Sequence, residues 1–326
     1  MPESITTTTP NKIILVGLGE VATTHQEALT RLGHTIVAGV DIDPSKELVF
    51  GGKELPVYGS PEQAAKEQSE SDIIVIAVPT PNHYTVCQEV FSAFELKPVQ
   101  VFVEKPCADT LENAQDLLTN TPDNIDLESL LHFAYSPEVL WATKHLSDWL
   151  KKHGPIREYQ AVFADTRSAP DQASRREVLG SSWKDLGINA LSAAQRLIDF
   201  TGLELQQVPQ STDYEAAVSF DSCFAEGHGT IATDWSAESP SYDSVFTFAS
   251  GAQLKLNHYL VSGSFENSNG VVQMTSYNRG TPRRLSHYLS LYKDLLGTKE
   301  LAVTTDQSLK LHELLLTDEV VDSDKR

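Results

Sequence analysis

Residues 12–22, KIILVGLGEVA, restrict the possible folds of this chain more than any other stretch. The run KIILV has strand character. Glycines at 17 and 19 follow, and THQEALTRLG then has helical character. Strand, tight turn and helix in that order fit the GxGxxG/A pattern, with Ala22 in the third place. The first glycine allows a sharp turn, and the second lets backbone come close to a pyrophosphate. A small third residue lets the helix pack closely on the strand. The helix start, with Glu20 and Val21 in its first turn, presents unpaired N–H groups and the positive end of its dipole to phosphates. These features predict a dinucleotide cradle at the start of a parallel sheet.

The next strand, HTIVAGVDID, ends in Asp41, which lies 41 − 19 = 22 residues past the second glycine. An acid at that distance hydrogen-bonds an adenosine ribose 2′-OH and repels a 2′-phosphate, which favours NAD over NADP. It also serves as a turn residue before Asp43-Pro44. Two further strands, SDIIVIAVP (71–79) and VQVFVEKP (99–106), are separated by a helical stretch. The alternation predicts a doubly wound parallel sheet. Its carboxyl edge would carry Val78, Pro79 and Thr80, with Asn82 and His83 just beyond, and Glu104 and Lys105. A lysine at the end of a buried strand is either a proton-transfer group whose pKa burial lowers, or a surface lysine paired with Glu104.

The length, 326 residues, suits two domains, expected at 1–126 and 127–326. There are 25 basic and 45 acidic residues, a formal charge of −20. That balance argues against nucleic acid or an anionic membrane surface as a partner. Cys87, Cys107 and Cys223 are too scattered for a disulfide framework or a zinc site, and a reducing cytoplasm is the expected location. HxxxH and HExxH spacings are absent, so no metal site is expected. No apolar run is long enough to span a membrane. Residues 1–11 and 318–326 read as flexible ends.

The second half contains strand-like runs such as EYQAVFAD, AAVSFDSC, GTIATDWS, SVFTFAS, AQLKLNHYL and VVQMTSY. They suit a large antiparallel sheet, flanked by amphipathic helices VLWATKHLSDWLKKHG and LSHYLSLYKDLL. Between them lies WKDLGINALSAAQRL (183–197). Asp185 and Asn189 are four residues apart there, so both side chains can point to one spot at the start of a helix. Trp183 is either an aromatic face for a sugar ring or a core residue. His132 is either a substrate contact or an interior histidine, and Asp165 and Arg167 are either diol-binding groups or a structural ion pair. Arg283 and Arg284 read as a solvated basic spot, and His258 and His287 are too isolated to assign.

GLGEVA, AVPTPNH, VFVEKPCADTLENAQDLL and DLGIN together resemble the glucose–fructose oxidoreductase, inositol dehydrogenase and MocA family of NAD(P)-dependent oxidoreductases. The resemblance runs from about residue 12 to residue 197, and EKP in its strand context is its most specific item. It implies a Rossmann domain followed by an α/β domain with a large, mostly antiparallel open sheet. One face of that sheet is expected to make a homodimer or homotetramer. It also implies hydride exchange with a sugar or polyol carbon, with NAD, or NADP, as cofactor.

The family pattern places a histidine where this chain has Asn189, and an amide has no titration near neutral pH. D-x-G-I-N-A-L, LHFAYSPE (131–138) and FADTRS (163–168) are similar to the sugar 1-dehydrogenases that oxidise L-arabinose or D-galactose at the anomeric carbon. The resemblance therefore implies catalytic roles for Lys105, Asp185 and Asn189, and substrate contacts for His132, Asp165, Arg167 and Trp183. Either Lys105 or Asp185 is the proton acceptor. Reduction of another keto-sugar or imine, and a non-catalytic nicotinamide sensor, are the alternatives.

Overall fold

The structure is a computed structural model that describes residues 10–43, 45–200, 202–208, 216–224, 226–274 and 280–316. Residues 1–9 of the expected flexible segment 1–11, the expected tail 318–326, and the close of the VVQMTSY run lie outside them. The first half forms β1 (Lys12–Val16), α1 (Glu20–Arg31), β2 (Thr35–Val40), the hairpin β3 (Leu48–Phe50) and β4 (Lys53–Leu55), and β5 (Val57–Tyr58). It continues with α2 (Pro61–Glu67), β6 (Ile73–Ile76), α3 (His83–Ala93), β7 (Val99–Glu104), α4 (Leu111–Thr119) and β8 (Ile125–Leu130).

Six of these strands form one parallel sheet in the order β5-β2-β1-β6-β7-β8. The order reverses between β1 and β6, and ligands of such sheets bind outside the carboxyl ends at that point. The central strands Ile13–Val16, Ile73–Ile76 and Val101–Val103 are buried throughout, as strands covered by helices on both faces must be. Capping fixes the helix starts: Ser60 accepts from the Gln63 N–H ahead of Pro61, and Thr110 accepts from the Asn113 N–H. The expected domain boundary at residue 126 falls inside β8.

The rest comprises α5 (Pro137–His153), β9 (Ile156–Thr166), α6 (Ala169–Leu179), a π-helical turn (Trp183–Gly187) and α7 (Ile188–Ala194). Then come β10 (Glu204–Val208), β11 (Ala217–Phe224), β12 (Gly227–Asp234), β13 (Ser236–Phe248), β14 (Gln253–Asn257), β15 (Ser262–Asn267) and β16 (Gly270–Gln273). The helices α8 (Arg283–Leu295) and α9 (Thr305–Leu316) close the described chain. Eight strands make an open sheet in the order β10-β11-β12-β9-β13-β14-β15-β16, antiparallel except where β12 meets β9. Tyr159, Ala161 and Phe163 of β9 are buried, whereas Arg157, Gln160 and Val162 are exposed on the opposite face. α5 lies over the covered face, with Trp149 stacked on Phe265 at 4.3 Å.

Two arrangements differ from the sequence expectation. The helix carrying Asp185 and Asn189 begins with the π turn, and α7 ends at Ala194, short of the end of the 183–197 stretch. The closing helices return to the first domain. Tyr292 of α8 shares a hydrogen bond with His25 of α1 at 2.7 Å, and His312 of α9 accepts the Cys107 N–H at 3.0 Å. No helix among the described residues is long and apolar enough to cross a membrane.

Inside the second domain, Glu138 and His258 form a fully buried pair at 2.6 Å, and His258 also meets Ser244 at 3.1 Å. Burial pushes the Glu138 carboxyl up, but His258 outweighs it and holds the carboxyl below its ordinary 4.5. A depressed native value means that this stabilisation is present above about pH 4.5 and is lost as pH falls through the native value. Replacing Glu138 by Ala leaves a buried ring unpaired. It should lower the unfolding free energy by about 3 kcal/mol at neutral pH, read by urea denaturation. The deficit should shrink in acid, and a pH-independent deficit would contradict the pairing.

Candidate active site

A cavity of about 320 Å³ opens between the carboxyl edge of the parallel sheet and the second domain. Its first wall, Glu20 and Val21, follows directly on the glycine turn. Gly17 has φ of +89°, and a Cβ there would stand 2.8 Å from the backbone of Ala77 and Val78. Only glycine therefore allows β1 and β6 to close at this point. Gly19 differs: a Cβ on it meets nothing within 4 Å, so the turn opens onto free space. Gly19 begins α1 without any side-chain cap, which leaves the first N–H groups of a 12-residue helix available to an anion. Ala22 is buried, while Glu20 and Val21 line the cavity. This cradle fits a dinucleotide pyrophosphate.

Asp41 stands at the end of β2 and serves the turn directly. One carboxylate oxygen accepts the Leu18 N–H at 2.8 Å, and the other accepts the Asp43 N–H at 2.9 Å. Val78, Pro79 and Thr80 line the cavity as expected from the strand end. Asn82 is exposed at the start of α3 and does not line the cavity. His83 borders it, with its ring nitrogens 2.7 Å from the Pro106 carbonyl and 2.8 Å from the Val78 carbonyl, and the neutral ring donates to one of the two. Its burial lowers its pKa. The ring ties the ends of β6 and β7 together.

Glu104 does not pair with the Lys105 ammonium. Its Oε1 accepts from the Tyr288 hydroxyl, and His25 Nε2 lies 3.1 Å from that oxygen, off the hydrogen-bond direction. Burial raises the Glu104 carboxyl, but His25, Tyr288 and Lys105 together bring it below its ordinary value. Lys105 instead crosses to the second domain. Its Nζ lies 3.1 Å from the Asp185 backbone carbonyl and 3.7 Å from Asp185 Oδ1. Asp185 Oδ2 accepts from Arg175 at 2.6 Å and from the Trp235 indole at 3.2 Å. Asn189 donates to the Asp185 carbonyl at 3.3 Å and lines the same cavity. Asp185 and Asn189 thus converge, as their spacing predicts.

Trp183 corrects the expectation of a sugar-facing ring. It is 2% exposed, lies outside the cavity lining and packs 4.3 Å from Phe220. A Cβ at Gly187 would stand 2.4 Å from that ring, so the glycine lets the indole seat under the π turn. Asp165 and Arg167 both line the cavity and pair with each other at 2.6 Å, and the Tyr242 hydroxyl donates to Asp165 at 2.6 Å. Burial raises the Asp165 carboxyl, but Tyr242 and Arg167 bring it below its ordinary value. His132 faces His287 at 3.3 Å between their Nδ1 atoms. Burial takes both well below the ordinary histidine range, His287 to about 4.

Sequence reasoning missed Arg175, Tyr242, His287 and Tyr288 and placed Arg283 and Arg284 on a solvated face, whereas all six line the cavity. No local pattern marks them: the return of α8 to α1 brings its four residues there, α6 carries Arg175 over the cleft, and β13 carries Tyr242.

Residues 11–124 match the Gfo/Idh/MocA family, described as "Oxidoreductase family, NAD-binding Rossmann fold". The matched segment is an NAD-binding Rossmann fold, and NAD is its cofactor. A comparison with curated proteins finds no match. An inositol dehydrogenase homolog from Azotobacter vinelandii, complexed with NAD+, has a similar fold, with a TM-score of 0.75 and 19% identity over 93% of each chain. An oxidoreductase from Agrobacterium radiobacter, complexed with NAD+, L-tartaric acid and magnesium, gives 0.75 and 16% over 94% of each. Levoglucosan dehydrogenase, complexed with NADH and levoglucosan, gives 0.76 and 12%, covering 95% of this chain and 97% of that one. At these identities the likeness establishes the two-domain fold.

The open side of Gly19 provides a test of the cradle. Gly19→Val adds a side chain with no protein neighbour, so the melting temperature should stay near wild type. NAD affinity by calorimetry should fall about 100-fold as the side chain displaces the pyrophosphate. Unchanged affinity would move the dinucleotide elsewhere.

Proposed function

We propose that the protein is an NAD-dependent dehydrogenase acting on a hydroxyl-bearing carbon of a sugar or polyol, oxidising the anomeric carbon of an aldose to the lactone. The observation that carries this reading is the contact of Lys105 with Asp185 across two domains, at the sheet edge where the dinucleotide cradle opens. When bound, the dinucleotide supplies the acceptor for the hydrogen and electron pair that leave the carbinol carbon.

The chain's own groups divide the remaining tasks. Asp185 has one oxygen committed to Arg175 and Trp235, so it anchors Lys105. Lys105, as the free amine, receives the hydroxyl proton and becomes the ammonium that Asp185 holds. Asn189 hydrogen-bonds a substrate oxygen, and the Asp165–Arg167 pair offers an acceptor and a donor to neighbouring hydroxyls. An anomeric hydroxyl is more acidic than an ordinary alcohol, so Asn189 in place of a histidine is chemically tolerable. His132, held neutral, offers a hydrogen-bonding nitrogen at the cavity wall. Asp41 closes the adenosine end against a 2′-phosphate. The inositol and levoglucosan enzymes of similar fold favour a polyhydroxylated substrate. The exposed face of the second sheet, with Val162 and Val271, suits a homodimer or homotetramer in the cytoplasm.

Lys105→Met should lower kcat/KM on the sugar by about 1000-fold or more while NAD binding changes little, measured by absorbance of the reduced cofactor and by calorimetry. Turnover at the wild-type level would remove Lys105 from the chemistry.

A further inference from the structure

We propose that the substrate is a sugar acid whose carboxylate is received by Arg283. The proposal rests on the dehydrogenase reading above and narrows its substrate class. The chain carries a net charge of −20, yet cations outnumber carboxylates on the cavity wall. The cations are Lys105, Arg167, Arg175, Arg283 and Arg284, set against Glu20, Glu104, Asp165 and Asp185. Four of the five cations have carboxylate partners. Lys105 and Arg175 share Asp185, Arg167 holds Asp165, and Arg284 meets Glu20 at 3.1 Å.

Arg283 has none among the described residues. Its guanidinium lies over the Tyr242 ring at 4.4 Å and the Tyr259 ring at 5.1 Å, and its Nη1 is buried without a hydrogen-bond partner. The two rings flank the guanidinium without accepting from its N–H groups, and the unpartnered Nη1 is a donor of the kind that matches a carboxylate. One helical turn along α8, His287 Nε2 is also buried without a partner. With the proton on Nε2, the neutral ring adds a second donor beside the guanidinium. The two groups lie on one helix face four residues apart.

The cofactor phosphates do not account for Arg283. Arg284 stands beside Glu20 at the start of α1, on the dinucleotide side. Arg283 lies instead against Tyr242, whose hydroxyl bonds Asp165 on the substrate wall. A half-buried guanidinium whose Nη1 has no partner carries a desolvation cost that an arriving anion would offset. His132 reports the same excess of positive charge: beyond burial and His287, the cations Lys105, Arg284 and Arg283 keep it neutral. One unmatched guanidinium suits a carboxylate monoanion better than a phosphate dianion.

The test compares D-galactose, D-galacturonate and D-galactose 6-phosphate as substrates with NAD. Each sugar is also titrated into the enzyme–NADH complex by fluorescence. Galacturonate should exceed galactose in kcat/KM by about 10–100-fold, the worth of a charge-assisted hydrogen bond. Arg283→Met should reduce the galacturonate-to-galactose ratio by a similar factor, and Arg283→Lys should restore part of it. Should the Met variant fail to fold, Arg283→Gln gives the same ratio.

Equal or better use of galactose overturns the proposal, as does an unchanged ratio in the variants. Selective use of the phosphate overturns it as well. Binding of galacturonate that depends on Arg283, without turnover of any sugar, upholds the anion site and overturns the dehydrogenase reading. No binding by any of the three overturns the proposal.

Discussion

The buried carboxylate of Glu104 joins the parts of the chain that make the cavity. It sits at the last position of β7, against His25 of α1 and Tyr288 of α8. An unpaired carboxylate at that depth would be costly, so these contacts draw both helices to the end of one strand. Two consequences follow. The next residue, Lys105, must turn away from Glu104 and reach across the cleft. The helix start at Arg283 and Arg284 is brought over the opening of the glycine turn. The same carboxylate therefore sets the position of the lysine and of the wall that faces it.

Asp185 completes the closure from the other domain. Arg175 and Trp235 fix one of its oxygens, and Lys105 approaches the other along with the backbone carbonyl. The carbonyl belongs to the π turn at Trp183–Gly187, a local irregularity that recurs at functional sites. The turn in turn depends on the close seating of Trp183 over Gly187. A ring expected to touch a sugar thus acts one step further out, by supporting the backbone that positions the carboxylate.

The Rossmann half could be read from sequence because its requirements are local. Glycine spacing, a small residue at 22, all-apolar central strands and an acid at 41 each state their own geometry. Lys105 was found for the same reason, since it ends a buried strand at the ligand edge. The second half obeys contacts between distant segments. α6 buries no residue of its own, so no apolar stripe marks it, yet Arg175 within it anchors Asp185. β15, SGSFEN, has weak strand character and is held by its pairing with β14 and β16. Arg283 and His287 gain meaning only when α8 docks on α1.

The absence of a histidine at position 189 is consistent with this wall. A histidine there would sit in a cavity already bearing five cationic side chains, beside a carboxylate engaged by two of them. The nearby His132 shows the outcome, since burial and the surrounding charges strip it of basicity. A titrating base at 189 would face the same field, whereas an amide donates and accepts without changing charge. The field that makes a histidine ineffective also favours an anionic substrate and stabilises negative charge developing on its oxygen. On the proposed dehydrogenase reading, Lys105, anchored by Asp185, holds the proton, and charge complementarity rather than a second titrating group sets the chemistry of the site.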